Sequence, residues 1–280
     1  MSYFLSLRQR NVGGAVTDPR IFMGEGSTEP LQLTLVEPAR LAALAAGKDL
    51  VFAAHGFNVS LEQGVRSLAQ LDARLALGSN TLFLGVLWPG DYWLPVVNYP
   101  FEGEVAIDCG RRLATFCSAW LDRAQSISFV SHSLGVRVVL EAVQGLPRPV
   151  RLACLMAAAV NRDCLASEYA EADANAQSIA LLCSRDDLVL KLAYPLGDAI
   201  AELLHDDHTP FQPALGYAGP PAPAPLPVAP PWQIPPEQAY GHGDYFPPGD
   251  PPGEPETEAK WWRSAGFLAR ALQARRQDWP

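Results

Sequence analysis

The stretch Phe129-Val130-Ser131-His132-Ser133-Leu134-Gly135 decides how this chain is read. The apolar run Ser126–Val130 ends in it, and Leu134–Val143 takes up helical spacing directly after it. A serine between a strand and a helix sits on a sharp turn, with its hydroxyl lifted above the carboxyl edge of a sheet. The positions two before and two after must be small, because the two backbones nearly touch. Gly135 meets that demand. Ser131 stands where such turns usually carry glycine, a small replacement that adds slight strain. The plain alternative is that Ser133 only caps the helix. The amides at the start of a helix also point at any oxyanion formed beside them, which makes the Leu134 N–H one candidate donor.

Working outward, apolar runs alternate with amphipathic ones. Asp49–Ala54 (DLVFAA), Thr81–Leu87 (TLFLGVL), Val150–Ala158 and Ser178–Cys183 read as further strands. Ser60 with Gln63 forms a capping box, and Leu61, Val65, Leu68 and Leu75 recur behind it at helical spacing. Val105–Ala124 is predicted as a helix, with a helix-like stretch near Ala166–Ala176. Continuous apolar strands separated by helices predict an open, mostly parallel, doubly wound α/β sheet covered on both faces. Tyr3–Arg8 and Leu31–Val36 are expected as edge strands antiparallel to the rest.

Residues 209–255 hold 16 of the 26 prolines. Proline blocks helix and removes donors, so this segment is read as polyproline II or loop. Too few residues follow it for a second domain, and Thr257–Gln277 reads as one amphipathic helix. The expectation is therefore one domain over 1–280, with 209–255 as an excursion that forms a lid or rim.

Composition narrows the function classes. The chain has 280 residues, 49% apolar and 18% charged, which excludes disorder over most of its length. Twenty-one basic against 30 acidic residues leave a net charge of −9, which argues against nucleic acid and anionic membrane surfaces as partners. No apolar run reaches the roughly 18 residues that span a bilayer. No secretion signal opens MSYFLSLRQR, and the five cysteines are odd in number and include no CxxC. Buried free thiols in a reducing cytoplasm are expected. Neither a P-loop nor GxGxxG occurs, so phosphoryl transfer and Rossmann dehydrogenation are excluded.

A second chemical signal is His55-Gly56-Phe57-Asn58, directly after DLVFAA. A loop in that place supplies the other oxyanion donor, here the Phe57 N–H, with Gly56 allowing close approach. His55 is read as bracing its loop rather than as a general base, and Asn58 as ordering it. An activated serine needs an acid and a base after it in the chain. The acid is Asp187 or Asp186, just past Ser178–Cys183; either could instead cap a helix. The base is His242, in Ala239-Tyr240-Gly241-His242-Gly243-Asp244-Tyr245, or His205 or His208. His205 and His208 also lie three apart, as metal ligands can, but a solvated helix end explains them better. The aromatic segment Trp88–Phe101 either walls an acyl pocket or packs in the core.

HGFNVSLEQG, LGVLWPGDY, FVSHSLGVRVVLEAV and SRDDLVLK together resemble a bacterial family of α/β-hydrolases of uncharacterised function, within the lipase and esterase superfamily. The resemblance spans roughly residues 49–196 and a short piece around His242. It implies the α/β-hydrolase fold and serine-hydrolase chemistry without a cofactor or metal. It favours Asp187, which precedes x-Val-Leu-Lys, and a base in a short histidine loop before the last helix. The expectation is a carboxylic ester hydrolase acting on a small-molecule ester, with Ser133, Asp187 and His242 as triad. Thioesters and lactones are alternative substrates, and a non-catalytic binding protein on the same fold is the alternative class.

Overall fold

The computed structural model describes residues 1–91, 99–193, 212–223, 228–229, 233–249, 255–274 and 279. A nine-stranded sheet organises them, in the order β3-β2-β1-β5-β4-β6-β7-β8-β9. Its strands are β1 (Ser2–Arg8), β2 (Val16–Gly24), β3 (Leu33–Val36), β4 (Asp49–Ala54), β5 (Thr81–Leu87), β6 (Ser126–His132), β7 (Leu152–Met156), β8 (Ile179–Leu182) and β9 (Val228–Ala229). The helices that flank them are α1 (Pro38–Ala45), α2 (Leu61–Leu75), α3 (Tyr99–Trp120), α4 (Gly135–Gly145), the short α5 (Ala170–Ala174) and a C-terminal helix, Pro255–Leu272.

Side chains of consecutive strand residues enter opposite faces, and two cores result. Leu5, Phe52, Phe129 and Leu155 pack under α1, α3 and α4. Their chain neighbours Phe4, Val51, Val130 and Cys154 pack under α2 and the C-terminal helix, against Leu68, Phe267 and Leu268. Each such side chain removed from water contributes about 1.5–3 kcal/mol, which explains why runs like DLVFAA are apolar throughout. The predicted capping box is present: Ser60 Oγ accepts from Gln63 N at 3.2 Å, and Gln63 Oε1 accepts from Ser60 N at 3.1 Å.

The N-terminal strands differ from expectation. β1 is not an antiparallel edge strand: it lies inside the sheet and runs parallel to β5, with Tyr3 opposite Leu84 and Ser6 opposite Leu87. Only β2, which the sequence reading did not propose, runs against the others, antiparallel to both β1 and β3. Its Asp18-Pro19-Arg20 and half-exposed pattern hide it from an apolar-run search. Helix α3 begins six residues earlier than predicted, and Ala166–Ala176 is a 3-10 turn, Cys164–Ala166, followed by the short α5. No helix among the described residues is long and apolar enough to cross a membrane.

Candidate active site

The central strand β6 delivers the serine. Ser133 adopts φ 54°, a left-handed conformation that costs a non-glycine residue strain. Two main-chain bonds hold it there: Ser133 N–H to Met156 O at 3.0 Å, and Ala159 N–H to Ser133 O at 3.3 Å. Gly135 is compulsory, since a Cβ on it would lie 2.2 Å from the carbonyl oxygen of His55. Ser131 is tolerated because its side chain is buried toward Cys154, with Oγ 3.4 Å from that carbonyl. The positive φ falls on the serine itself and not on Ser131.

Gly56 meets this turn closely: a Cβ there would sit 2.8 Å from His132 Nδ1 and 3.1 Å from Ser133 Cβ. The loop carrying Phe57 is thereby pressed against the start of α4, where the Leu134 N–H emerges. Phe57 packs on the α3–α4 side of the core. Asn58 orders the loop through its backbone, with φ 58° and its N–H donated to Gly90 O at 2.6 Å.

The two residues expected from the sequence as acid and base come from the next layers of chain. Past β8, Asp187 is fully buried. Its Oδ2 lies 2.8 Å from His242 Nδ1, and its Oδ1 accepts the N–H of Leu190 at 3.0 Å. Asp187 therefore also caps the turn Val189–Ala193, a cap foreseen as a separate alternative. Asp186 is exposed and gives its backbone N–H to Ser184 Oγ at 3.1 Å. On the other side of the ring, His242 Nε2 lies 2.8 Å from Ser133 Oγ. A hydrogen-bonded row, Ser133–His242–Asp187, thus joins positions 109 and 55 residues apart in the chain.

Several residues that the sequence reading did not single out hold the His242 loop. Ser184 Oγ donates to Tyr240 O at 2.7 Å. Asp244 accepts the Gly241 N–H at 2.8 Å and pairs with Lys260 at 2.7 Å. Lys260 and Trp261 donate to Ala239 O and Gly243 O, so the loop hangs on the C-terminal helix. The Asp three residues after Gly241 is the one local signal that could have been read, as a side-chain cap of a tight turn.

The two other described histidines are structural neighbours with opposite tautomers. A carbonyl can only accept, so His132 carries its proton on Nε2, donated to His242 O at 2.8 Å. His55 carries it on Nδ1, donated to Gly56 O at 2.8 Å, and its Nε2 accepts the Trp88 N–H at 3.3 Å. Burial, the dominant cause, pushes both down to about 3, so both rings are neutral at physiological pH. His55 therefore braces its loop and lies outside the row. His205, His208 and half of the aromatic segment (92–98) lie outside the described residues. Among the described residues no group of three His, Cys, Asp or Glu is arranged to hold a metal ion. A groove of about 1230 Å³ lined in part by Met1, Asn11, Glu62, Arg66 and Gly249 runs beside α2, away from Ser133, Asp187 and His242.

The family model described as "Alpha/beta hydrolase of unknown function (DUF900)" matches residues 39–210. The chain belongs to this α/β-hydrolase family. The matched stretch carries the strands β4 to β8, the HGFN loop, the serine turn and Asp187, whereas β1–β3 and His242 lie beyond it. The α/β-hydrolase resembles a solved structure titled "Crystal structure of esterase PE8", at 17% identity and a TM-score of 0.42, covering 82% of this chain and 94% of that one. It also resembles a chain from a study of two prolyl endopeptidases, at 12% identity and a TM-score of 0.37, covering 95% of this chain and 43% of that one. No curated protein matches the sequence.

Proposed function

We propose that this α/β-hydrolase is a serine esterase that cleaves small carboxylic esters through an acyl-enzyme. His242 Nε2 takes the proton of Ser133 Oγ as that oxygen attacks the ester carbonyl. The amides of Phe57 and Leu134 stabilise the oxyanion, each donor contributing about 2.7–4 kcal/mol in related acyl-transfer chemistry. Asp187 fixes the imidazole tautomer and stabilises the imidazolium. The proton then passes to the departing alcohol, and water, activated by the same histidine, releases the acid.

The observation that carries this reading is the pair of 2.8 Å contacts on either side of the His242 ring. A merely structural histidine has no need of an acid on one nitrogen and a strained serine on the other. On the same reading, residues 1–280 are one domain. The five buried cysteines, none of them in a disulfide, suit a reducing, cytoplasmic setting.

The test is turnover of short p-nitrophenyl esters together with fluorophosphonate labelling, for the wild type and Ser133→Ala. Wild-type labelling and turnover that both vanish in the variant are expected. Turnover retained by Ser133→Ala overturns the reading. Absence of labelling in the wild type points to a binding protein instead.

A further inference from the structure

Arg8 is the outstanding unexplained residue of the fold. Its guanidinium is fully buried, and it is paired with the buried Asp91. Burying such a pair costs several kcal/mol per ion, and a well-packed apolar pair serves stability as well. Stability therefore does not account for it; its hydrogen bonds suggest what does. Arg8 Nη1 donates to Val59 O at 3.0 Å and to Trp88 O at 3.3 Å. Nη2 donates to Asn11 O at 2.7 Å as well as to Asp91, and Nε to Arg10 O at 2.9 Å. One planar fork thus joins the end of β1, the HGFN loop and the Trp88-Pro89-Gly90-Asp91 turn.

The turn joined in this way holds the Phe57 loop from both ends. Trp88 gives its N–H to His55 Nε2 and its indole N–H to His55 O, the latter at 2.8 Å. Gly90 O accepts the Asn58 N–H at 2.6 Å. Asn11 O, already held by Arg8, accepts the Leu61 N–H at 2.8 Å, where α2 begins. Phe57 therefore sits between two residues, His55 and Asn58, that are both tied to the turn anchored by Arg8. The β1–β2 register shifts between Ser6 and Arg8, and Arg8 at that irregularity is buried although it ends the strand.

We propose that Arg8 is a positioning residue for hydrolysis: with Asp91 and Trp88 it fixes the loop whose Phe57 amide meets the oxyanion. This rests on the serine-hydrolase reading and deepens it. A strand outside the stretch that matches the family model then completes a catalytic loop inside it.

The test compares wild type, Arg8→Lys and Asp91→Asn in kcat and KM on one p-nitrophenyl ester, in affinity for an aryl boronic acid, and in melting temperature. Lysine keeps the charge and loses the fork. Since misplacement by an ångström can cost 100-fold, Arg8→Lys is expected to lower kcat about 10- to 100-fold. KM is expected to stay within about twofold, and boronate affinity to fall in step with kcat/KM, because the boronate presents the tetrahedral oxyanion. Asp91→Asn shifts in the same direction by less, and it decides the matter if Arg8→Lys does not fold. Unchanged kcat in a folded variant, or a loss of kcat without loss of boronate affinity, overturns the proposal while the esterase reading stands. A wild type that neither labels nor turns over removes both.

Discussion

His132 Nε2 donates to the main-chain carbonyl of His242 at 2.8 Å, so the residue preceding the serine holds the backbone of the residue that faces it. The His132 ring also lies against His242, Tyr245 and Phe246, with centroids 5.0, 5.9 and 5.5 Å away. His132→Phe keeps the ring and strands the carbonyl. The bond is part-buried, so the unpaired acceptor is expected to cost about 1 kcal/mol in denaturant unfolding, with kcat down about tenfold. His132→Gln, whose amide reaches the same point, is expected to recover most of both. Equal losses in the two variants contradict the bond's role.

Acid should destabilise this fold in a specific window. His55 and His132 are both held near a pKa of about 3 in the folded state, mainly by burial, whereas unfolded histidine titrates near its ordinary 6.5. Below 6.5 the unfolded chain binds the extra protons. Stability from these two residues is thus undiminished above 6.5 and falls as pH drops toward 3. The slope approaches about 2.7 kcal/mol per pH unit for two protons. Urea titrations at about pH 7, 6 and 5 check this, and His132→Gln is expected to halve the slope.

Asp187 and Asp186 can be separated directly. Asp187→Asn removes the acceptor that sets the His242 tautomer, and kcat is expected to fall about 10⁴-fold. Asp186 is exposed, and Asp186→Asn is expected to stay within about twofold. The reverse ranking in ester turnover reverses the assignment.

Two glycines make a paired stability test. Gly135→Ala would force a Cβ to 2.2 Å from a backbone oxygen that cannot yield, with an expected cost of about 3 kcal/mol or more. Gly103, in α3, has nothing within 4 Å of its would-be Cβ, and Gly103→Ala is expected to add about 0.5–1 kcal/mol. Thermal melts of the two variants moving in opposite directions meet the expectation.

The parts of the fold that the sequence disclosed are those with a local physical signature. β4 and β5 were bounded to the residue, because strands buried on both faces must be apolar throughout. The capping box was readable because Ser60 and Gln63 are three residues apart. The orientation of β1 was not, since its parallel pairing with β5 joins residues about eighty positions apart, and nothing in Tyr3–Arg8 encodes its neighbour. At the site, Ser133, Gly56 and Gly135 declare themselves by spacing and by the space they must not fill. The choice of Asp187 over Asp186 as the neighbour of His242 depends on which side chain turns inward. The supports of the His242 loop, Ser184 and Lys260, come from distant chain and leave no local trace.

The separation of Ser133 and His242 by 109 positions also bears on how the chain matures. A ribosome that has released the serine turn still has most of the proline-rich stretch to synthesise before the imidazole exists. Until the last helix docks and carries the histidine loop into place, the hydroxyl has no ring to bond to, so on the proposed reading a nascent or truncated chain holds its nucleophile unarmed.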